Sequence, residues 1–134
     1  MKTYIILIAL FCFTLLSCRK EAGEGGKASI NGLVWLKEYN GNFGSLLLER
    51  AAYDEYVYIQ YGDEINYSDR VKTNHEGRFE FKYLRPGKYK VYFYSKDPED
   101  KDNINPEEMM VVMQDVEITE KKQVISLDTL VIYD

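Results

Sequence analysis

The feature that most constrains this chain is a period of two. Phe79, Phe81 and Tyr83 alternate with Arg78, Glu80 and Lys82. A few residues on, Tyr89, Val91 and Phe93 alternate with Lys90, Tyr92 and Tyr94. Successive side chains of a strand point to opposite faces, so this pattern buries one face of a sheet and wets the other. A helix, with 3.6 residues per turn, would scatter the same residues around its circumference. The segment between, Arg85-Pro86-Gly87, is a turn signal, with proline fixing one backbone angle and glycine free to adopt a positive φ. Two half-buried antiparallel strands are the immediate expectation.

The same rhythm extends along most of the chain. Ala28, Ile30, Gly32, Val34 and Leu36 alternate with Ser29, Asn31, Leu33, Trp35 and Lys37, ending at Asn40-Gly41. Val57, Ile59 and Tyr61 alternate with Tyr56, Tyr58 and Gln60, ending at Gly62-Asp63. Asp69 to Thr73 is short and polar, as an edge strand is. Asn74-His75-Glu76-Gly77 is a turn. Met109 to Thr119 and Gln123 to Tyr133 supply two last strands. Twelve tyrosines in 134 residues reinforce the pattern, since aromatic residues favour strands. Seven short strands without a strong amphipathic helix predict an all-β, seven-stranded antiparallel sandwich. Ser45 to Tyr56, SLLLERAAYDEY, is ambiguous, and is expected to be a crossing connection with at most one or two helical turns.

The first residues follow other rules. One lysine precedes Tyr4 to Leu16, an apolar run of about 13 residues, the length of a signal-peptide core. A membrane-spanning helix needs about 20. The run closes on Leu15-Leu16-Ser17-Cys18 and meets Arg19-Lys20. LLSC resembles the bacterial lipoprotein box, in which a leucine and small residues precede an obligatory cysteine. The resemblance implies that residues 1–17 are a cleaved signal peptide. Cys18 then becomes the first residue of the mature chain and carries the acyl chains. More than one acyl chain is what makes a membrane anchor stable. Residues 18–27, small and charged, read as a lipid-anchored flexible tether, and residues 28–134 as the β-sandwich domain. Arg19 differs from the aspartate that marks inner-membrane retention in such proteins, which implies the cell envelope's outer membrane, on either its periplasmic or its exterior side.

Cys12 leaves with the signal and Cys18 is consumed by lipid, so the domain holds no cysteine for catalysis, a disulfide or a zinc site. Without Lys2, 16 basic residues face 22 acidic ones, a net charge of −6. That opposes a nucleic-acid partner and a second electrostatic anchor on anionic lipid.

The segment from Thr73 to Ser95 resembles the signature of prealbumin-like domains, which include carboxypeptidase regulatory-like, transthyretin-like and Cna-B-type sandwiches. Its residues here are Thr73, Gly77, Phe79, Phe81, Leu84, Pro86, Gly87, Tyr89 and Val91. The resemblance implies a prealbumin-like (Ig-like) sandwich and is nearly silent on function, because such folds serve many roles. Many Cna-B-type domains form an isopeptide bond promoted by a buried glutamate. The matching position here is Phe93, so no such bond is expected from Lys37. Peptidase activity belongs to a separate domain in the carboxypeptidase relatives and is not implied.

Candidate chemistry is sparse. His75, the sole histidine, sits in a turn with no orienting constellation. The acidic stretch Asp97 to Glu108 lacks the glycine of a calcium loop, and Lys101 dilutes its charge. No catalytic residue, metal ligand or cofactor is expected. Tyr56 and Tyr58 share one strand face, and Tyr92 and Tyr94 share another, each opposite a better core face. If both pairs turn outward on one sheet they form an aromatic platform, with Arg78, Lys82 or Lys90 nearby, for a sugar ring or a protein partner. The expected function is therefore a non-enzymatic, membrane-anchored envelope lipoprotein that binds or scaffolds another envelope component. The alternative is a glycan or small-ligand module using the tyrosine face.

Overall fold

The computed structural model describes residues 21–40, 44–97 and 109–134, and these form two β-sheets. Strands run β1 Glu24–Tyr39, β2 Leu46–Ala51, β3 Tyr56–Tyr61, β4 Asp69–Lys72, β5 Arg78–Leu84, β6 Gly87–Lys96, β7 Met109–Ile118, β8 Val124–Ser126 and β9 Leu130–Tyr133. No helix occurs among the described residues. Among the described residues the count is nine strands, not seven, for two reasons. The expected crossing connection at 45–56 contains a true strand, β2, paired antiparallel with the second half of β1. The expected last strand, 123–133, breaks into β8 and β9 around Leu127-Asp128-Thr129. Both pieces run parallel to β1, so this sheet is mixed and not purely antiparallel.

Strand β1 is the spine of the five-stranded sheet. Its first half pairs with β5 and β8, and its second half with β2 and β9. The other sheet is antiparallel throughout, in the order β4-β3-β6-β7. The inward sets of both sheets meet in one sandwich-like core. Ala28, Ile30, Val34, Leu36, Phe79 and Phe81 come from one side, and Val57, Ile59, Tyr89, Val91 and Phe93 from the other. At roughly 25 cal/mol per Å² of apolar surface removed from water, this burial is the main favourable contribution to folding. Ser95 ties the sheets directly: it is fully buried, and its Oγ accepts the N–H of Tyr133 at 2.9 Å.

Alternation fails at one place. Tyr83, expected to face inward with Phe79 and Phe81, is 70% exposed, and Leu84 is buried instead. The backbone at Tyr83 is left-handed, with φ of 59°, which slips the pleat by one residue. Opposite it β1 is irregular too: Glu24 and Ala28 both register on Leu84. Gly26 makes the approach possible, because a Cβ there would lie 1.8 Å from the Leu84 carbonyl oxygen.

This irregular corner also docks the start of the described chain. The flexible tether expected over 18–27 is strand from Glu24 onward. Before it, Ala22 packs on the core and Gly23 is buried. The Tyr89 hydroxyl is the clasp. It accepts the Gly23 N–H at 2.9 Å and donates to the Arg85 carbonyl at 2.6 Å, while the Arg85 N–H donates to the Gly23 carbonyl at 2.8 Å. Cys18 and residues 1–17, the expected signal peptide, lie outside the described residues, as does the acidic stretch beyond Asp97.

Replacing Tyr89 with Phe removes one hydroxyl and leaves the buried Gly23 N–H and the part-buried Arg85 carbonyl without that partner. The expected cost is about 1–3 kcal/mol in urea unfolding. Amide exchange should accelerate first around Gly23 and Arg85. Unchanged stability and unchanged exchange there would show that the hydroxyl does not hold this segment.

Candidate functional site

The antiparallel register of β4-β3-β6-β7 decides which side chains share the outer face. Tyr58 lies opposite both Arg70 and Tyr92, Tyr56 opposite Lys72, Tyr92 opposite Met113, and Tyr94 opposite Val111. Directly opposed residues point the same way. One half of the face is therefore aromatic and apolar, bordered on the β4 edge by Arg70 and Lys72. The other half carries Gln60, Lys90 opposite Asp115, and Lys88 opposite Glu117. The alternation that sends Val57, Ile59, Val91 and Phe93 into the core leaves the tyrosines no other side.

The four tyrosines named from the sequence are brought together, joined by a fifth. Tyr58 sits at the centre. Its ring stacks on Tyr92 at 5.3 Å and 16°, and meets Tyr94 edge-on at 5.4 Å and 79°. Tyr56 lies 6.1 Å away, and Tyr67 5.3 Å away at 64°. Offset and edge-to-face pairs of this kind add about 0.5–1.5 kcal/mol beyond burial. The members are not equally available. Tyr56, Tyr67 and Tyr94 are exposed, Tyr58 is half-buried, and Tyr92 is only 7% exposed. Tyr92 faces outward yet is roofed by its neighbours, so it supports the platform while the exposed rings present it. Burial, followed by the neighbouring Tyr94 and Tyr58, raises the Tyr92 phenol above its ordinary pKa.

Tyr67 was not expected from the sequence. It reaches the cluster because the 62–68 loop is fastened back on β3: Ser68 N–H donates to the Ile59 carbonyl at 2.8 Å, the Ser68 hydroxyl accepts the Tyr61 N–H at 2.9 Å, and the Gln60 amide donates to the Ile65 carbonyl at 2.9 Å. The nearby cations also differ from those expected. Arg78 and Lys82 lie on β5, in the other sheet, bridged to Glu76 and Glu80. Lys90 does share the outer face. The cations at the rings are Arg70, 4.4 Å from the Tyr56 centroid and 5.8 Å from that of Tyr67, and Lys72, 4.8 Å from Tyr56. The alternation of Arg70 and Lys72 around Val71 was the available signal, but it needed the β3–β4 pairing to acquire meaning. Lys72 is also held by both oxygens of Asp54 at 2.8 Å. That hydrogen bond is the main reason its pKa is raised.

The remaining candidates do not assemble. The His75 ring stacks on Tyr53 at 4.1 Å and 9°, away from this face. Lys37 pairs with Glu49 at 2.9 Å, and Phe93 is in the core. Among the described residues no three His, Cys, Asp or Glu side chains are grouped to hold a metal. Open depressions of about 430 and 930 Å³ lie at the end of the domain around Gly62, Lys88 and Glu117.

Comparison with protein-family models and with curated proteins finds no match. Two solved structures are similar in outline. One is a candidate carbohydrate binding protein from Pseudomonas aeruginosa, with a TM-score of 0.46 and 14% identity over 80% of this chain and 91% of that one. The other is an (S)-allantoin synthase, with a TM-score of 0.42 and 11% identity over 81% of this chain and 42% of that one. At these scores the likeness defines neither a family nor a ligand.

The tyrosines also make a pH prediction. Burial, with Asp69 adding to it, pushes the Tyr61 phenol up to about 12, against an ordinary value of 10.0. Below pH 10 the phenol is neutral whether the chain is folded or not, so its contribution to stability is complete. As pH rises from about 10 to about 12 the unfolded chain ionises first, and that contribution is lost. Stability in urea should therefore fall over this window, and less steeply in Tyr61→Phe. Identical slopes in both proteins would show that Tyr61 ionises as freely in the fold as out of it.

Proposed function

We propose that this protein is a non-enzymatic envelope lipoprotein, anchored through Cys18, whose outer tyrosine face binds another component of the envelope. The observation that carries the reading is the collection of Tyr56, Tyr58, Tyr67, Tyr92 and Tyr94 on the solvent side of one sheet, with three of the rings open. Large rings held rigid by their neighbours offer contact area at little conformational cost, which is why tyrosine is over-represented where proteins bind. The exposed Val111 and Met113 extend the patch across β7. The alternation, the turn residues from Thr73 to Val91 and the two-sheet core favour a prealbumin-like sandwich as the scaffold.

The clasp at Gly23 gives the anchor a geometric consequence. Four chain steps separate Cys18 from Ala22, at most about 14 Å of reach. The end of the domain that carries Ala22, Tyr61 and Gly87 is then held near the bilayer. Tyr94 lies seven residues along β6 from Gly87, about 23 Å farther on. The aromatic end of β6 thus lies at the far end of the domain from the proposed tether. Arg19, where inner-membrane retention would call for an aspartate, supports outer-membrane residence on either the periplasmic or the exterior side.

Two measurements test this. In a bacterial host, a palmitate analogue should label the protein and the membrane fraction should retain it, and Cys18→Ala should lose both. A photo-crosslinking residue in place of Tyr94 should capture an envelope component that the same residue in place of Lys82, on the other sheet, does not. Equal capture from both positions, or none from Tyr94, would refute the tyrosine face as the binding surface.

A further inference from the structure

We propose that the tyrosine face is a site for an acidic polysaccharide, with Arg70 as the residue that takes the sugar carboxylate. The inference rests on the binding-face reading above and assigns its ligand. Four observations lead to it.

The first is the state of Arg70. It stands on β4 opposite Tyr58, exposed, with its guanidinium over the Tyr56 ring and beside Tyr67. Among the described residues no carboxylate pairs with it. The neighbouring acids are otherwise engaged: Asp69 accepts the Arg70 backbone N–H at 2.7 Å, and Asp54 holds Lys72. The neighbouring Tyr58, opposite it on β3, is the main reason its pKa is raised. The aromatic neighbours lie against the guanidinium, and among the described residues its N–H donors meet no anion. A planar, pre-oriented guanidinium is the side chain best matched to a carboxylate, which it grips through two parallel hydrogen bonds.

The second is the charge of the surroundings. The whole chain carries a net charge of −5, so an anionic polymer is repelled by most of its surface. On the outer face Lys90 stands opposite Asp115 and Lys88 opposite Glu117, and Lys72 is neutralised by Asp54. Arg70 is the cation of the aromatic half that makes no ion pair among the described residues. A carboxylate is therefore directed to one point, beside the rings.

The third is the rings. Tyr56, Tyr67 and Tyr94 are 39%, 48% and 45% exposed. A pyranose presents an apolar C–H face that stacks on such a ring, while its hydroxyls reach the phenol oxygens. The fourth is the shape of the surface, a pleated sheet face and not a groove. A bound peptide strand would pair with a sheet edge through its backbone, and a bound helix would need a groove. An open sheet face with three exposed rings and one carboxylate receptor beside them suits successive units of an extended glycan.

The test uses the full lipidated chain in detergent micelles. Tyrosine fluorescence and calorimetry follow titration with oligomers of galacturonate, mannuronate-rich alginate and hyaluronan. The methyl ester of the galacturonate oligomer and poly-glutamate are the controls. At least one uronate oligomer should bind saturably, and its methyl ester should bind at least tenfold more weakly. Raising the salt concentration should weaken the uronate and leave the ester unchanged. Arg70→Met, an exposed substitution whose folding is checked by circular dichroism, should lose tenfold or more for the uronate and nothing for the ester. Arg70→Lys should recover only part of the loss.

Failure of all three uronates to bind overturns the proposal, as does equal binding of poly-glutamate or of the ester, or an Arg70→Met protein that binds as well as the original. Binding of a neutral glycan that depends on Tyr94 but not on Arg70 overturns the carboxylate assignment while the face reading stands. Capture of a protein from Tyr94 with no glycan binding does the same. No binding together with no capture from Tyr94 overturns both.

Discussion

Everything in this domain hangs on β1. A 16-residue strand with backbone partners on both edges organises β2, β5, β8 and β9 at once. Its inward residues, Ala28, Ile30, Val34 and Leu36, form one wall of the core. Buried N–H and C=O groups must find partners. A long central strand solves that on both sides over much of its length, from Ser29 to Lys37, whereas an edge strand would leave one side open. The later elements are each short, and β8 and β9 together contribute only seven residues to the sheet. Pieces of that size are stable only because β1 offers them a completed template.

The second sheet turns the same constraint into a surface. A strand buried on one face has no freedom over what its other face displays. Once Val57, Ile59, Val91 and Phe93 are committed to the core, Tyr56, Tyr58, Tyr92 and Tyr94 are delivered to solvent, at spacings set by the pleat. Core and candidate site are thus two readings of one alternation. The site is rigid for the same reason that the core is: both ride on the β3–β6 pairing. Tyr92 shows the link most clearly, since it points outward and is still covered, holding Tyr58 and Tyr94 in place.

The docked N-terminal segment joins this geometry to the membrane reading. Gly26 allows close approach to the Leu84 carbonyl, Tyr83 slips the pleat, and the Tyr89 hydroxyl closes on Gly23. None of these residues touches the tyrosine face. Their effect on it is positional, because they hold the start of the described chain at the end of β6 away from that face.

Much of this was determined by the sequence itself. Period-two alternation assigned the inward and outward residues of β3, β5 and β6, save Tyr83, because a strand has only two sides. The turns at Asn74–Gly77 and Arg85–Gly87 were readable because glycine and proline restrict or free the backbone locally. The pairing of two tyrosine couples on outward faces followed from the same rule. Tertiary structure decided what depends on partners distant in the chain. Leu46 to Ala51 have helix-favouring residues and become a strand because β1 offers them hydrogen bonds. Residues 24–27 look like a tether by composition and are strand because Tyr89 and Leu84 receive them. Tyr67 and Arg70 join the site only through the fastened 62–68 loop and the β3–β4 register. A single chain's pattern specifies which face a residue takes. Which residues become neighbours across that face is settled by strand pairing, and that is where the candidate site acquires its cation.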